Sequence, residues 1–303
     1  MFNRVLLTGA NGFTGHYVRR VLRAKGDEVL GVELQGSAAE AEDSATVQCD
    51  LTSDLGSLRS AVNDFRPTHV LHLAALSHVT AFSPLDYYRV NVLGTENLLS
   101  LLRECGSPVK KIVIASSANV YGNAASSPIK EATPPSPINH YAASKFAMEC
   151  IARTEFSRLP IILARPFNYT GRGQSELFLV PKIVRHFVER REFIVLGDTN
   201  VARDISDVRF VADAYARLLD TQDNGFIVNI CSGRAVSVRA LVDMMSQIAG
   251  WPIDVQRDDS LVRVNEVKSL CGANARLREA IGEFSVPPLI DTLTWMYAAR
   301  PQT

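Results

Sequence analysis

The chain has 303 residues, enough to bury a large core as one large domain or two smaller ones. Its 32 Lys and Arg balance 32 Asp and Glu, so no global field draws it to nucleic acid or an anionic membrane, and any basic site is local. No apolar run can span a bilayer, the opening residues are not expected to form a signal peptide, and five scattered cysteines lack a CxxC pair. A reducing, cytoplasmic setting is expected, with neither disulfides nor a metal site.

Short apolar runs at 4–8, 28–32, 69–73 and 111–115 read as buried strands, and residues 12–24, 87–104 and 140–156 as the helices between or after them. This alternation predicts an α/β fold with a parallel, doubly wound sheet. Residues 36–44 are small and acidic and read as a surface loop, as does the stretch around Pro134, Pro135 and Pro137. The run 161–164 is the last long central strand. Beyond it the polar stretches 167–176, 197–207 and 257–266 read as loops of a smaller α/β lobe that supplies most substrate contacts. We expect a dinucleotide domain over 1–165 and a substrate lobe over 166–303. A strand near 226–230 is expected to rejoin the first sheet.

The first strand runs into Thr8-Gly9-Ala10-Asn11-Gly12-Phe13-Thr14-Gly15 and then into a helix. Gly9 permits the tight turn, Gly12 lets backbone approach a diphosphate, and Gly15 lets helix and strand pack closely. The helix N-terminus offers unpaired N–H groups to phosphates. Glu33, ending the second strand, suits the adenosine ribose hydroxyls and repels a 2′-phosphate, and no Lys or Arg follows it closely. That favours NAD(H) over NADP(H). Asp50 and Leu51 flank the adenine in this reading, although Asp50 also fits a helix cap.

Tyr141 and Lys145 lie four apart on a predicted helix, so they share one face. A neighbouring ammonium, together with the positive nicotinamide of an oxidised cofactor, is expected to lower the phenol's pKa and make Tyr141 a proton donor or acceptor; a solvated helix face is the plainer reading of the pair. The apolar run 112–115 ends in Ser116 and Ser117, at the carboxyl end of a strand where open α/β sheets bind ligands. Ser117 is the candidate for a substrate oxygen, and Ser116 reads as a backbone-capping hydroxyl.

The glycine loop, His72-Leu73-Ala74-Ala75, Asn91-Val92-Leu93-Gly94-Thr95, the Ser116–Gly122 turn, Tyr141-Ala142-Ala143-Ser144-Lys145 and Arg165-Pro166-Phe167-Asn168 occur in this order. Together they resemble the extended short-chain dehydrogenase/reductases that act on nucleotide sugars, over essentially the whole chain. The resemblance implies a Rossmann domain, a Ser117–Tyr141–Lys145 triad, NAD(H) or NADP(H), and a homodimer. It places Asn11, Phe13, Leu73, Ala74, Ala75 and Asn91 against the cofactor, and Ser77 and Ala118 against the substrate. Asn168-Tyr169-Thr170-Gly171-Arg172-Gly173-Gln174 is similar to a stretch of enzymes handling GDP-6-deoxyhexoses. By that likeness Asn168, Arg203 and Arg263 contact the diphosphate of a GDP-linked sugar, Lys182 lies near the base and Glu266 near its ribose. Each arginine also fits a surface salt bridge. Dehydratases of this group carry Thr-Asp-Glu where this chain has Ser117-Ala118-Asn119, and neither Ala118 nor Asn119 ionises. The resemblance therefore implies a 4-keto reductase, with a 4-epimerase or a noncatalytic dinucleotide sensor as the rivals.

Overall fold

The computed structural model describes residues 2–34, 45–53, 55–78, 82–106, 108–262 and 267–299. The expected loop at 36–44, together with Arg263 and Glu266, lies outside them. Among the described residues the strands are β1 (Arg4–Thr8), β2 (Glu28–Glu33), β3 (Thr46–Gln48), β4 (His69–His72), β5 (Lys111–Ala115), β6 (Ile161–Pro166), β7 (Asn168–Thr170), β8 (Phe193–Leu196), β9 (Ala202–Asp207), β10 (Phe226–Ile230), β11 (Ala235–Ser237), β12 (Asp254–Arg257) and β13 (Ser269–Leu270). The helices are α1 (Phe13–Ala24), α2 (Gly56–Phe65), α3 (Pro84–Tyr88), α4 (Gly94–Glu104), α5 (His140–Thr154), α6 (Leu179–Val188), α7 (Val208–Leu219), α8 (Val238–Ala249), α9 (Ala275–Ile281) and α10 (Leu289–Tyr297).

Strands buried on both faces read as near-continuous apolar runs, and such strands form the main sheet. Its order is β10-β6-β5-β4-β1-β2-β3, and every pairing in it is parallel. Helices α1, α7 and α9 cover one face through Val18, Leu22, Val211, Leu218 and Leu277. Helices α2, α4 and α5 cover the other through Leu58, Val62, Leu98, Leu102 and Met148. This is the doubly wound, Rossmann-type sheet expected from the alternation. Strand order reverses between β1 and β4, so a crevice opens at their carboxyl ends. Strand β10 pairs with β6 at the sheet edge, from Phe226 opposite Ile162 to Ile230 opposite Pro166.

Two elements differ from expectation. The helix expected over 87–104 is broken into α3, a wide turn at Arg89–Leu93 and α4. Buried Asn91 sits in that turn and bonds to Leu76 and Ser144. The stretch expected as a loop at 197–207 contains β9, which pairs with β7, β11 and β13. A sequence as polar as Ala-Arg-Asp-Ile-Ser-Asp can sit inside because its carboxylates are satisfied. Fully buried Asp204 accepts from the N–H groups of Ser232, Gly233 and Gly272, and Asp207 from those of Arg209. Beneath this small sheet, α6, α8 and α10 close a third core around Phe187, Leu241, Met245 and Leu293. No helix among the described residues is long and apolar enough to cross a membrane.

Candidate active site

A cleft of about 460 Å³ opens at the carboxyl ends of β1, β4, β5 and β6. Its floor is the glycine loop. Gly9 holds φ at +68°, and a Cβ there would stand 2.9 Å from the Ala74 nitrogen. A Cβ on Gly15 would stand 2.1 Å from the Gly9 carbonyl oxygen, so α1 can rest on the loop only because that residue is glycine. Gly12 caps α1 in extended conformation with no side-chain cap, which leaves the first-turn N–H groups for a ligand.

The wall from β4 consists of Leu73, Ala74, Ala75 and Ser77. Asn91 fixes this wall rather than lining the cleft, because its amide is committed to the Leu76 backbone and to Ser144. Beneath it, buried His72 bridges the hydroxyls of Thr8 (2.7 Å) and Thr95 (2.9 Å). Thr95 spends its proton on the Asn91 carbonyl, so His72 Nε2 donates and Nδ1 accepts. Burial, helped by the nearby Lys145 charge, pushes the imidazole down to about 3, and it stays neutral.

The opposite wall is the turn Ser117-Ala118-Asn119, facing α5. Ser117 Oγ accepts from the backbone N–H and the side-chain amide of Asn119, both at 3.2 Å. Ser117 also bears on the Tyr141 phenol, whose pKa it lowers as a side-chain hydrogen-bond partner. Lys145, one turn along, donates to the Ala115 carbonyl at 2.6 Å. In the protein alone, burial outweighs the charge effects expected from sequence. Burial pushes the Tyr141 phenol up to about 12, against the lowering effect of Ser117, and Lys145 is held down to about 8 by burial, with Glu149 opposing. Tyr141 is therefore a protonated phenol in the protein alone, a donor rather than a base.

Ser116 does not cap backbone. Its hydroxyl donates to Glu149 at 2.5 Å, and Glu149 also takes two hydrogen bonds from Arg165, at 2.8 and 2.5 Å. Both charges are buried, and the Arg165 guanidinium lies 4.7 Å over the Tyr121 ring. Burial works against the arginine's charge, but the carboxylate outweighs it and holds the pKa above the ordinary value. This pair braces the end of β6 against α5. Sequence reading did not single it out, although Glu149 stands one helical turn beyond Lys145.

The remaining expected residues are dispersed. Asn168 lines the cleft mouth with Phe178 and Ser175 from the second lobe. Lys182 donates to the Val195 carbonyl at 2.9 Å and Arg203 to the Ala202 carbonyl, also at 2.9 Å, and neither lines the cleft. Asp50 accepts from the Thr52 N–H and hydroxyl in a turn ahead of α2, and so caps no helix. Leu51 packs into the core against α2 and α4. Glu33 is turned toward the glycine loop, where the Asn11 N–H donates to it, and burial raises its pKa.

A family model described as the NAD dependent epimerase/dehydratase family matches residues 5–231. The chain belongs to that family. It is 31% identical over 280 residues to GDP-6-deoxy-D-talose 4-dehydrogenase of Aggregatibacter actinomycetemcomitans, covering 92% of this chain and 91% of the other. It is 32% identical over 295 residues to GDP-6-deoxy-D-mannose reductase of Pseudomonas aeruginosa, covering 93% and 92%. The solved structure of RMD from Pseudomonas aeruginosa complexed with NADPH matches with a TM-score of 0.84 at 29% identity over 98% of both chains.

As a member of this family the chain is an NAD(P)-dependent oxidoreductase. Its residues fit that cofactor. The glycine cradle leaves room that any Cβ would fill, the N-terminus of α1 is uncapped, and Phe13 and Thr14 complete the floor. Sequence reading also passed over Tyr169 and Tyr215 in the cleft wall. Tyr169 bonds to Thr14 at 2.8 Å, and the buried Tyr215 hydroxyl meets no partner among the described residues.

Proposed function

We propose that the chain reduces the C4 ketone of GDP-4-dehydro-6-deoxy-D-mannose to GDP-D-rhamnose. One observation carries this reading. The described residues lining the cleft include the Ser117–Tyr141–Lys145 constellation but no carboxylate, histidine or cysteine. Eliminating water from a sugar needs a separate acid and base. Ala118 and Asn119 provide neither. The likeness to two enzymes named for GDP-6-deoxyhexoses supports the substrate class.

When bound, the nicotinamide supplies the hydride. Tyr141 gives its proton to the alkoxide forming at C4. Ser117, held by Asn119, hydrogen-bonds the same oxygen. Lys145 balances the phenolate left on Tyr141. The glycine loop, Glu33, Asp50 and Leu51 bind the dinucleotide in this reading, within a domain over 1–165. Asn168 and Ser77 orient the sugar nucleotide. Lys182, Arg203, Arg263 and Glu266 complete the GDP site in the 166–303 lobe, which requires Lys182 and Arg203 to exchange their present carbonyl acceptors for ligand oxygens. We further read the chain as a cytoplasmic homodimer.

The value near 8 for Lys145 gives a pH prediction. Its pKa is lowered, so its charge is present below that value and lost as pH rises through it. The reduction rate is therefore expected to fall above about pH 8. A Lys145→Met variant should be slower throughout and lack that limb. A rate flat to pH 10 in the unaltered enzyme would show that Lys145 keeps its charge there, and a Lys145→Met variant as fast as the original would remove Lys145 from the mechanism.

The reading is tested by supplying the keto sugar with NADH or NADPH and following absorbance, then determining the product's C4 configuration by NMR. One reduced cofactor consumed per rhamno product is the expected result. A talo product would keep the reductase and reverse the face of attack. Interconversion of C4 epimers without net cofactor use would make the chain an epimerase.

A further inference from the structure

The cleft turns apolar beside its reacting hydroxyls. Ala118, the residue after Ser117, lines it together with Phe167 and Leu270. The same three side chains belong to a small buried cluster with Val120, Ile129 and Cys231. The cleft face of that cluster is therefore one apolar shelf, assembled from the turn after β5, the junction of β6 and β7, and β13. Backbone holds the shelf in place. A Cβ on Gly272 would stand 2.7 Å from two carbons of the Phe167 ring and 2.6 Å from Cys231 Sγ, so the chain at 272 presses directly on the ring edge. Leu270 is fixed where β13 pairs with Arg203 of β9. Polar groups packed with the cluster are already committed: the Tyr121 hydroxyl donates to Asn229 Oδ1 at 2.7 Å, and the Asn229 amide donates to the Ile129 carbonyl at 3.1 Å. Neither can turn to serve a hydroxyl arriving from the cleft.

In the reading above, Ser117 and Tyr141 hold the oxygen on C4. The two ring neighbours of C4 differ: C3 carries a hydroxyl, whereas C5 carries C6. A group on C5 therefore lies beside whatever flanks Ser117, and the flank at Ala118 offers only carbon. Placing C3 there instead would strand its hydroxyl, so the shelf also fixes which way the ring lies. We propose that Ala118, Phe167 and Leu270 receive C6 of the sugar as a methyl group, and that this shelf selects 6-deoxy sugars over their 6-hydroxyl counterparts. A methyl gains by leaving water. A hydroxyl in the same place loses its water and finds no partner on the shelf. Apolar sites reject an added hydroxyl by about 10²-fold.

This inference rests on the proposed reaction and names the residues that set its substrate class. GDP-6-deoxy-D-mannose (GDP-D-rhamnose) and GDP-D-mannose share every stereocentre and differ at C6 only. Both are offered to the unaltered chain in the oxidative direction, where the C4 hydride passes to NAD(P)+ and the O4 proton to the deprotonated Tyr141, and absorbance gives kcat/KM. Calorimetry with reduced cofactor, where no reaction occurs, gives the affinity of each sugar nucleotide, so the shelf is read even without turnover. The 6-deoxy sugar is expected to be favoured about 10–100-fold in kcat/KM and about tenfold or more in affinity. Leu270→Asn and Ala118→Ser each set a polar group on the shelf. They are expected to narrow both ratios about fivefold or more, by weakening the 6-deoxy sugar and not the 6-hydroxyl one. Ratios within about threefold in the unaltered chain overturn the assignment and need no variant. So does equal loss of both sugars in stably folded variants, which would make the shelf packing only. A preserved affinity ratio with neither sugar oxidised keeps the shelf and overturns the reaction instead, and binding of neither sugar overturns both.

Discussion

Replacing Tyr141 with Phe is expected to lower kcat about 10²–10⁴-fold, the usual worth of a positioned proton donor. The substitution removes one oxygen and leaves the ring, which packs edge-on against Tyr87 at 6.1 Å between centroids. Dinucleotide affinity should therefore persist, since the glycine loop and the N-terminus of α1 are untouched. The buried phenol, pushed up to about 12, is protonated throughout the working range, as a donor to an alkoxide must be. Titration of cofactor binding alongside turnover separates the outcomes. Loss of both would mean a damaged fold, and turnover within tenfold of the original would show that another group or a water delivers the proton.

Glu149→Gln carries the second large effect, and it falls on stability. The substitution leaves Arg165 buried, charged and without its carboxylate, and sets an NH2 donor against Arg165 Nη2, while the remaining oxygen can still accept from Ser116. Breaking one partner of a buried ion pair costs about 3–5 kcal/mol. For a chain of this size that amounts to a fall in Tm on the order of 10 °C, read by thermal denaturation with and without cofactor. A double variant, Glu149→Leu with Arg165→Met, should recover much of the loss because no unpaired charge remains. A single variant as stable as the original would mean that the pair contributes packing only. Glu149 also raises the Lys145 pKa, so its loss should move the alkaline limb of activity to lower pH.

The parts of the molecule legible in the sequence are those where one side chain type has one use. Val5-Leu6-Leu7 and Ile112-Val113-Ile114 can be stable only as strands buried on both faces, and they are. Gly9 and Gly15 stand where a Cβ collides with backbone, so their spacing announces the loop. Tyr141, Ser117 and Lys145 are brought to one cleft because the motif spans a strand end and the helix packed beside it.

What escaped depended on partners distant in sequence. β9 reads as a loop because its carboxylates look solvated, yet Asp204 is satisfied by residues 28 to 68 positions away. Asn91 looks like a cofactor contact until the wide turn commits its amide to Leu76 and Ser144. The lowered phenol pKa expected from the ammonium and an oxidised nicotinamide does not arise in the protein alone, for a related reason. Spacing gives proximity, but burial at the end of β5 sets the larger effect.

The most direct test of the account is a single-turnover reaction with NAD(P)H carrying deuterium at the transferable position and GDP-4-dehydro-6-deoxy-D-mannose as acceptor. One deuterium is expected on C4 of the product, with one oxidised cofactor released per sugar and the rhamno configuration by NMR. A product free of deuterium, with a tightly held NAD unchanged at the end, would contradict it.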